Sequence, residues 1–466
     1  MTKNILLINP AYTHTEGSIW REVASNYPPL GLAAAAALLE KYDIPVSILD
    51  LKVEHFSGEK LASKIREINP QVIGISAITP TINEAWHIAQ IVKKTLPEAL
   101  VVFGGTHATV MPQECIENKY VDVVAKGESE YTFVDLGIIN DLSKIDGIIY
   151  KNKDGKIIQN KDRVPVKNLD ELPFPAYHLL PMYKYQPALG NYKRLPAMIM
   201  LTSRGCPGRC TFCYSGIKEK NIRTRSAENV LTEIKFLKER YNIKEISFYD
   251  DVFTLFRGKL VKICNAIIDE KLDITWSCMT RINLIDEELL KIMKKSGCHS
   301  ICYGIESADE TILKNIQKDI DLNMAREVIK MTKKAGIKAR ISLMFGNQGE
   351  TEETMEKTIN FALETNPDVV QFNIASAYPG TELYTWAKEK GYLSEKTWDQ
   401  YDYSQYTVKL PNLSEEKVRE YYKKAYKRFY FRPKYIVQRL LKTRSYYDIK
   451  ENIFAVKGLF NFFKSD

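Results

Sequence analysis

The sequence predicts an α/β protein: an N-terminal doubly wound parallel sheet, a second series of strands and helices, and a helical C-terminal segment. Three observations carry this. Residues 4–134 alternate short apolar runs with helical patterns, the punctuation of βαβ units. From Ala197 onward six further apolar runs alternate with helices, and after Ser414 the pattern turns helical and basic. With 466 residues, 45% of them hydrophobic and 27% charged, the chain reads as a soluble globular protein of two or three domains. No apolar stretch is long enough to span a bilayer. The opening MTKNILLINPAYTHTEG has one Lys before an apolar run too short for a secretory signal, so it reads as a buried first strand. Eight cysteines without an export signal point to the reducing cytoplasm, where clustered thiols serve metals or redox chemistry. The net charge of +8 is concentrated at the end: from Tyr421 onward twelve Lys or Arg face three acids. The rest is about neutral, with no basic stripe of a nucleic-acid binder.

Taken in order, the first strands are NILLINP, VSILDL, VIGISAIT, LVVFGG and VDVVAKGE, each ending in small or polar residues. Between them lie the helical patterns LGLAAAAALLEKY, GEKLASKIREI, INEAWHIAQIVKKTL and MPQECIENK. Such an open sheet, of Rossmann or flavodoxin-like winding, binds ligands at the carboxyl ends of its strands. Those ends carry Asn9-Pro10, Ser76 with Thr79, Gly104-Gly105-Thr106-His107, and Gly127-Glu128. No GxGxxG follows the first strand, which argues against a dinucleotide. Gly104-Gly105 permits close backbone approach to a bulky ligand and equally describes a tight βα turn. His107 by itself reads as a helix-start or surface histidine.

Together INPAY, YPPLGLAAAAALLEK, VSILD, VIGISAIT, FGGTHAT and AKGESE resemble the cobalamin-binding domain that precedes the barrel in one class of radical S-adenosylmethionine (SAM) enzymes. The resemblance covers residues 1–137 and implies cobalamin contacts from Ser76, Thr79, Gly104, Gly105, Thr106, His107, Gly127 and Glu128. One departure stands out. The Asp-x-His-x-x-Gly motif, whose His ligates cobalt from below in many cobalamin proteins, is absent.

Residues 138–194 form a linker: DGIIYKNKDGKIIQN predicts a hairpin turning at Asp154-Gly155, and a proline-rich stretch follows. The run AMIMLTSRG then delivers a loop with Cys206, Cys210 and Cys213. A structural zinc site would need a fourth Cys or His, and a ferredoxin-type cluster a fourth Cys. The cysteines at 264, 278, 298 and 302 are scattered through apolar segments and read as core thiols. The simplest resolution is a fourth ligand that is not protein. CPGRCTFC resembles the C-x3-C-x2-C motif of the radical SAM superfamily. The resemblance implies a [4Fe–4S] cluster on Cys206, Cys210 and Cys213, with SAM on the open iron and Phe212 near its adenine.

The strands of this second domain (residues 195–393) are AMIMLTSRG, KEISFYDD, DITWSCMTR, HSICYGIES, ARISLMFGNQGET and VVQFNIASAYPGT, matching the superfamily's partial (β/α)6 TIM-like barrel. Polar residues fall at their carboxyl ends. By resemblance Glu306 and Ser307 face the SAM ribose or methionine moiety and Arg281 its carboxylate. Asp250-Asp251 read either as site residues or as a helix N-cap, and Gly346 and Gly349 as turn residues. The segment 394–466 has Ser414 as an N-cap, with Pro433 dividing two helices. Its basic-aromatic mixture packs on the barrel by default and alternatively meets an anionic membrane surface.

These resemblances imply a cobalamin-dependent radical SAM enzyme that methylates an unactivated carbon of a small-molecule or lipid-like substrate, fed by a flavodoxin or ferredoxin-type electron donor. The alternatives are a cyclase of the anaerobic magnesium-protoporphyrin monomethyl ester type and a non-catalytic corrinoid or redox sensor. A methylthiotransferase would need three further N-terminal cysteines, and only Cys115 precedes Cys206.

Overall fold

The computed structural model describes residues 2–12, 25–188, 190–214, 222–443 and 446–464. They form two compact units. The first comprises the start of the chain, residues 26–186 and a short return at 397–401; the second comprises the described parts of 15–25, 187–396 and 402–466.

In the first unit the elements run β1 (Ile5–Asn9), α1 (Leu30–Lys41), β2 (Val46–Asp50), α2 (Gly58–Ile68), β3 (Val72–Ser76), α3 (Ile82–Thr95), β4 (Leu100–Gly104), α4 (Thr106–Val110), α5 (Pro112–Glu117), β5 (Val123–Ala125), α6 (Glu130–Ile138), β6 (Ile148–Lys151) and β7 (Ile157–Gln159). The sheet order is β2-β1-β3-β4-β5-β6-β7, with β1 to β5 parallel, which is the flavodoxin-like winding. The apolar runs are continuous because both faces are covered. Ile5 and Leu7 enter the core beneath α1 and α6, while Leu6 and Ile8 enter the core beneath α2, α3 and α5. The hairpin turns where Asp154-Gly155 predicted, with Gly155 at φ 78°, and its strands extend the sheet in antiparallel fashion.

The second unit runs β8 (Ala197–Met200), β9 (Ser203–Arg204), β10 (Arg223–Thr224), α7 (Ala227–Tyr241), β11 (Glu245–Phe248), α8 (Arg257–Asp269), β12 (Thr275–Thr280), α9 (Glu287–Lys295), β13 (Cys298–Glu306), α10 (Glu310–Asn315), α11 (Leu322–Lys334), β14 (Lys338–Phe345), α12 (Glu352–Thr365), β15 (Val369–Ile374), α13 (Glu382–Glu389), α14 (Glu415–Tyr430), α15 (Pro433–Lys442) and α16 (Tyr446–Lys464). Six parallel strands lie in the order β8-β11-β12-β13-β14-β15, the partial barrel that the alternation predicts. Side chains of Ser226, Asp286, Asp309, Asp321, Thr351 and Ser414 cap helix N-termini, so the turns after the strands stop where the sequence places a short oxygen.

An open barrel leaves β15 as an edge with unpaired backbone groups. Here tyrosines from the next helices take the place of a strand. The Tyr426 hydroxyl accepts from Phe372 N (3.2 Å) and donates to Phe372 O (3.0 Å). Tyr430 does the same at Val370, at 3.1 and 2.7 Å, and the Tyr435 hydroxyl donates to Asp368 O at 3.0 Å. Residues 368, 370 and 372 point their backbone to one side, and the one-turn spacing of Tyr426 and Tyr430 matches that repeat. Tyr430→Phe strips both partners from Val370, so we expect a loss of about 1–3 kcal/mol. It is to be read as a lowered thermal midpoint and faster amide hydrogen exchange at Val370.

Candidate functional site

The candidate functional residues fall into two groups, one in each unit. In the second unit the cysteine loop leaves β8 through a clamp. Asp250, fully buried just after β11, accepts from Thr202 N (3.0 Å), from Thr202 Oγ1 (2.8 Å) and from Ser203 Oγ. Lys259 Nζ donates to Thr202 Oγ1 (2.8 Å) and Thr224 Oγ1 (2.6 Å), tying β9 to β10 beneath the loop. Asp250 therefore positions the loop and caps no helix, since the following 3-10 turn starts after Val252.

Cys206, Cys210 and Cys213 lie on that loop as free thiols, Cys206 and Cys213 partly covered and Cys210 buried. Gly208 N donates to Cys206 Sγ at 3.4 Å. A Cβ at Gly208 would stand 3.4 Å from Cys206 Sγ, 3.8 Å from Cys210 Sγ and 3.1 Å from an Arg281 guanidinium nitrogen, so the loop is cradled round a point that a side chain would fill. Three soft thiol donors around such a cradle fit an iron–sulfur cluster. Among the described residues no three His, Cys, Asp or Glu side chains converge on one point as a single metal ion requires. Burial raises the Cys210 pKa, assisted by Glu306 and Cys206, while Lys318 and Arg281 pull it back down. Of the other thiols, burial pushes Cys264 and Cys115 up to about 12 and raises Cys278 and Cys302, so these stay neutral. Cys264, Cys278 and Cys298 are core thiols as read from the sequence, whereas Cys302 is partly exposed on the interior face of the barrel.

Arg281 and Glu306 lie near this loop, Phe212 packs against an apolar cluster, and Ser307 is hydrogen-bonded within the same unit. Arg281 donates to Asp319 O at 2.9 Å. The Glu306 carboxylate pairs with Lys318 Nζ at 3.1 Å, both nearly buried, and accepts from Ser342 Oγ at 3.4 Å. Burial works to lower the Lys318 pKa, but Glu306 and Cys210 outweigh it and raise it. A Cβ on Gly304 would overlap the Glu306 carboxylate and reach 2.9 Å from Lys318 Nζ, so YGIES needs its glycine for the ion pair to fit. Ser307, fully buried, instead accepts from Asp309 N at 3.2 Å and lies 3.4 Å from Thr358 Oγ1. Phe212 packs against Met344, Ala375, Ala377 and Leu383.

A cleft of about 1250 Å³ adjoins the loop, lined by Gly208, Arg209, Arg281, Lys318 and Asp319 among others. The barrel interior is polar as well. Ala339, Ile341 and Leu343 are fully buried, while the alternate residues Arg340 and Ser342 retain exposure. Asn373 Nδ2 donates to Ser342 Oγ (2.9 Å) and Ser277 Oγ to Ser247 Oγ (3.2 Å). Lys318, Ser342 and Asn373 escaped the sequence reading. The signal for Ser342 was present in ARISLMF, where Arg340 and Ser342 alternate with Ala339, Ile341 and Leu343.

In the first unit Thr106 and Gly127 are exposed, and nothing stands within 4 Å of a Cβ at Gly127. Glu128 accepts from Val166 N at 3.2 Å, and Ser76 ends β3 partly exposed. Of these strand ends, Thr106 and Gly127 reach the surface, whereas Gly104 is buried. Gly105 is required by its own backbone: φ is 94°, and a Cβ would press to 2.9 Å from Ala77 O. Gly104 has ordinary room, its nearest neighbour being Ser129 Oγ at 3.8 Å.

His107 is at a helix start as expected but lies wholly inside. Its Nδ1 is 3.1 Å from the buried Thr79 Oγ1, so these two of the expected contacts satisfy each other. Its Nε2 lies 3.5 Å from Glu114 Oε2 without hydrogen-bond geometry, and its ring stands edge-on to Trp398. Trp398 Nε1 donates to Glu114 Oε1 at 2.8 Å. Burial opposes the charge on Glu114, yet His107 and Trp398 prevail and lower its pKa.

A radical SAM superfamily profile matches residues 200–362 and a B12 binding domain profile residues 18–137. The chain is 36% identical over 464 residues to an uncharacterized methyltransferase of Pyrococcus horikoshii, covering 98% of this chain and 97% of that one. It is 29% identical over 391 residues to the anaerobic magnesium-protoporphyrin IX monomethyl ester cyclase of Rubrivivax gelatinosus, covering 82% and 69%. Its fold matches the radical SAM methyltransferase TsrM of Kitasatospora setae, solved with cobalamin and a [4Fe–4S] cluster, at TM-score 0.74 and 15% identity over 98% of this chain and 99% of that chain.

Two outcomes are expected. Cys206→Ala, Cys210→Ala and Cys213→Ala each lose the cluster's iron, about four atoms per chain, whereas Cys298→Ala and Cys302→Ala keep it; iron and sulfide analysis reads this. Glu350, buried between Asn347 and Thr354, has its pKa raised by burial from 4.5 to about 7. Its unfolded form ionises first, so its contribution to stability falls as pH rises from about 4.5 to about 7. Glu350→Gln should flatten that part of the thermal midpoint–pH profile.

Proposed function

This chain belongs to the radical SAM superfamily, in the group with an N-terminal B12-binding domain, and we propose that it methylates an unactivated carbon of a small-molecule substrate. Its cofactors are a [4Fe–4S] cluster, SAM and cobalamin. Cys206, Cys210 and Cys213 would hold the cluster, and the strand ends at Ser76, Gly104–Thr106 and Gly127–Glu128 would receive the corrinoid. When bound, the cluster supplies an electron of low potential and the corrinoid a methyl carrier.

The chain's own residues do the positioning. Asp250 and Lys259 fix the root of the loop. Arg281 and the Glu306–Lys318 pair offer charges of both signs beside it, suited to the carboxylate, amine and ribose of SAM. His107 is enclosed by Thr79, Glu114 and Trp398, and the Asp-x-His-x-x-Gly motif is missing from the sequence. The polar interior with Arg340, Ser342 and Asn373 gives the substrate a place out of bulk water.

The observation that carries this reading is the pairing of the three-cysteine loop on an open barrel with a flavodoxin-like sheet that exposes Thr106 and Gly127 beyond its parallel strands. Kinship with a methyltransferase across nearly the whole chain supports it. The cyclase relative keeps oxidative ring closure as a second reading. Methylation replaces one C–H by C–CH3 and consumes two SAM and two electrons, delivered by a flavodoxin or ferredoxin-type donor. One SAM ends as 5′-deoxyadenosine and methionine, the other as S-adenosylhomocysteine. Anaerobic turnover with methyl-labelled SAM is therefore expected to place label in the product and release both nucleosides in equal amounts. Unlabelled product with deoxyadenosine alone would favour cyclisation, and no SAM cleavage would leave a sensor.

A further inference from the structure

The last two helices carry an apolar face that the second unit does not cover. On α16 the exposed Ile449, Ile453, Val456 and Phe460 follow one another at four, three and four residues, which draws a single line along the helix. Ile453 is 64% exposed and Phe460 55%. The opposite side is anchored: Phe462 is buried, with ring centroids 5.6 Å from Tyr422 and 5.4 Å from Tyr426. On α15 a second stripe of Ile436, Val437, Leu440 and Leu441 is exposed, Leu441 to 73%, while Tyr435 holds the helix to Asp368. These eight side chains are too many and too well aligned for scattered surface residues.

The charges next to the stripe identify the occupant. Lys450, Lys457 and Lys464 recur every seven residues, so they form a row beside the apolar line, and Lys434 flanks the stripe on α15. Twelve cations against three acids from Tyr421 onward make this the one strongly charged region of a chain otherwise about neutral. A second copy docked by two-fold symmetry on this face would set like rows of lysine against each other. An anionic bilayer takes both features: apolar side chains enter the acyl boundary while lysines reach the headgroups along their methylene stems. Among the described residues no helix is long and apolar enough to cross a membrane, so the helices would lie in its surface.

We propose that α15 and α16 bind the surface of an anionic lipid bilayer through Ile436, Leu440, Leu441, Ile453, Val456 and Phe460, with Lys450, Lys457 and Lys464 on the headgroups. The test is vesicle co-sedimentation of the full chain, with light scattering alongside. With vesicles containing about one third phosphatidylglycerol the chain should pellet, and roughly tenfold less with phosphatidylcholine alone or at high salt. Ile453→Asp with Phe460→Asp should abolish pelleting, and Lys450→Glu, Lys457→Glu and Lys464→Glu together should reduce it roughly tenfold. All five side chains are exposed, so the thermal midpoint should not move. The proposal is overturned if the wild-type chain stays in the supernatant with anionic vesicles. It also fails if the Asp variant still pellets, or if the face makes a dimer that the Asp variant dissolves and vesicles do not compete with.

Discussion

One buried carboxylate fixes where the chemistry of this protein begins. Asp250 sees no solvent and accepts from the backbone and hydroxyl of Thr202 and from Ser203, so the strand before the cysteines ends at a fixed place. A charged acceptor with several short bonds in low dielectric is strong, and costly to disturb. Because all six strands run the same way, every carboxyl end opens on one side. Arg281, Glu306 and the Asn347–Glu350 turn therefore arrive near the level that Asp250 sets, each at the end of a different strand.

The second determinant is the ion pair of Glu306 and Lys318. Breaking a buried pair strands a charge, which typically costs about 3–5 kcal/mol, whereas the intact pair adds little net stability. Its value lies in specification. Glu306 sits at φ 72°, a region that non-glycine residues avoid, and the β13–β14 register slips there. The irregularity turns the carboxylate inward, Gly304 vacates the space it occupies, and Lys318 returns from beyond α10 to meet it. Strand, missing side chain and distant lysine are needed together.

Much of this was legible in the sequence, for identifiable reasons. Strands covered on both faces read as continuous apolar runs, so ILLIN and VIGIS were placed correctly. The cysteine triplet is a local pattern on one loop, and spacing alone exposed its missing ligand. What stayed hidden depends on contacts between residues far apart in sequence. Lys318 looks like any lysine between helices until Glu306 is seen opposite it. Nothing in THAT says that Trp398 returns to cover His107, so a histidine read as a helix-start or surface residue is at a helix start and fully buried. The part played by Tyr426 and Tyr430 is hidden in the same way, because a hydroxyl's service to an edge strand leaves no periodic trace.

The tyrosines explain how the barrel can stay open. Closing a sheet removes its edges, and an eight-stranded barrel has an interior just wide enough for its own side chains to fill. Six strands with an uncovered edge would offer a template for pairing with another chain. Covering β15 with phenols at residues 368, 370 and 372 removes that liability at this one of the sheet's two edges without adding strands. The interior is then free of the apolar filling that a closed barrel needs. Apolar burial is supplied outside the strands instead, under the helices, where Ile341, Leu343 and Phe345 are fully covered. Inside, Ser247, Ser277, Ser342 and Asn373 bond to one another and to Glu306. An enzyme that must hold a cosubstrate and a substrate together needs such a lining, and the edge-capping helix makes it compatible with a stable sheet.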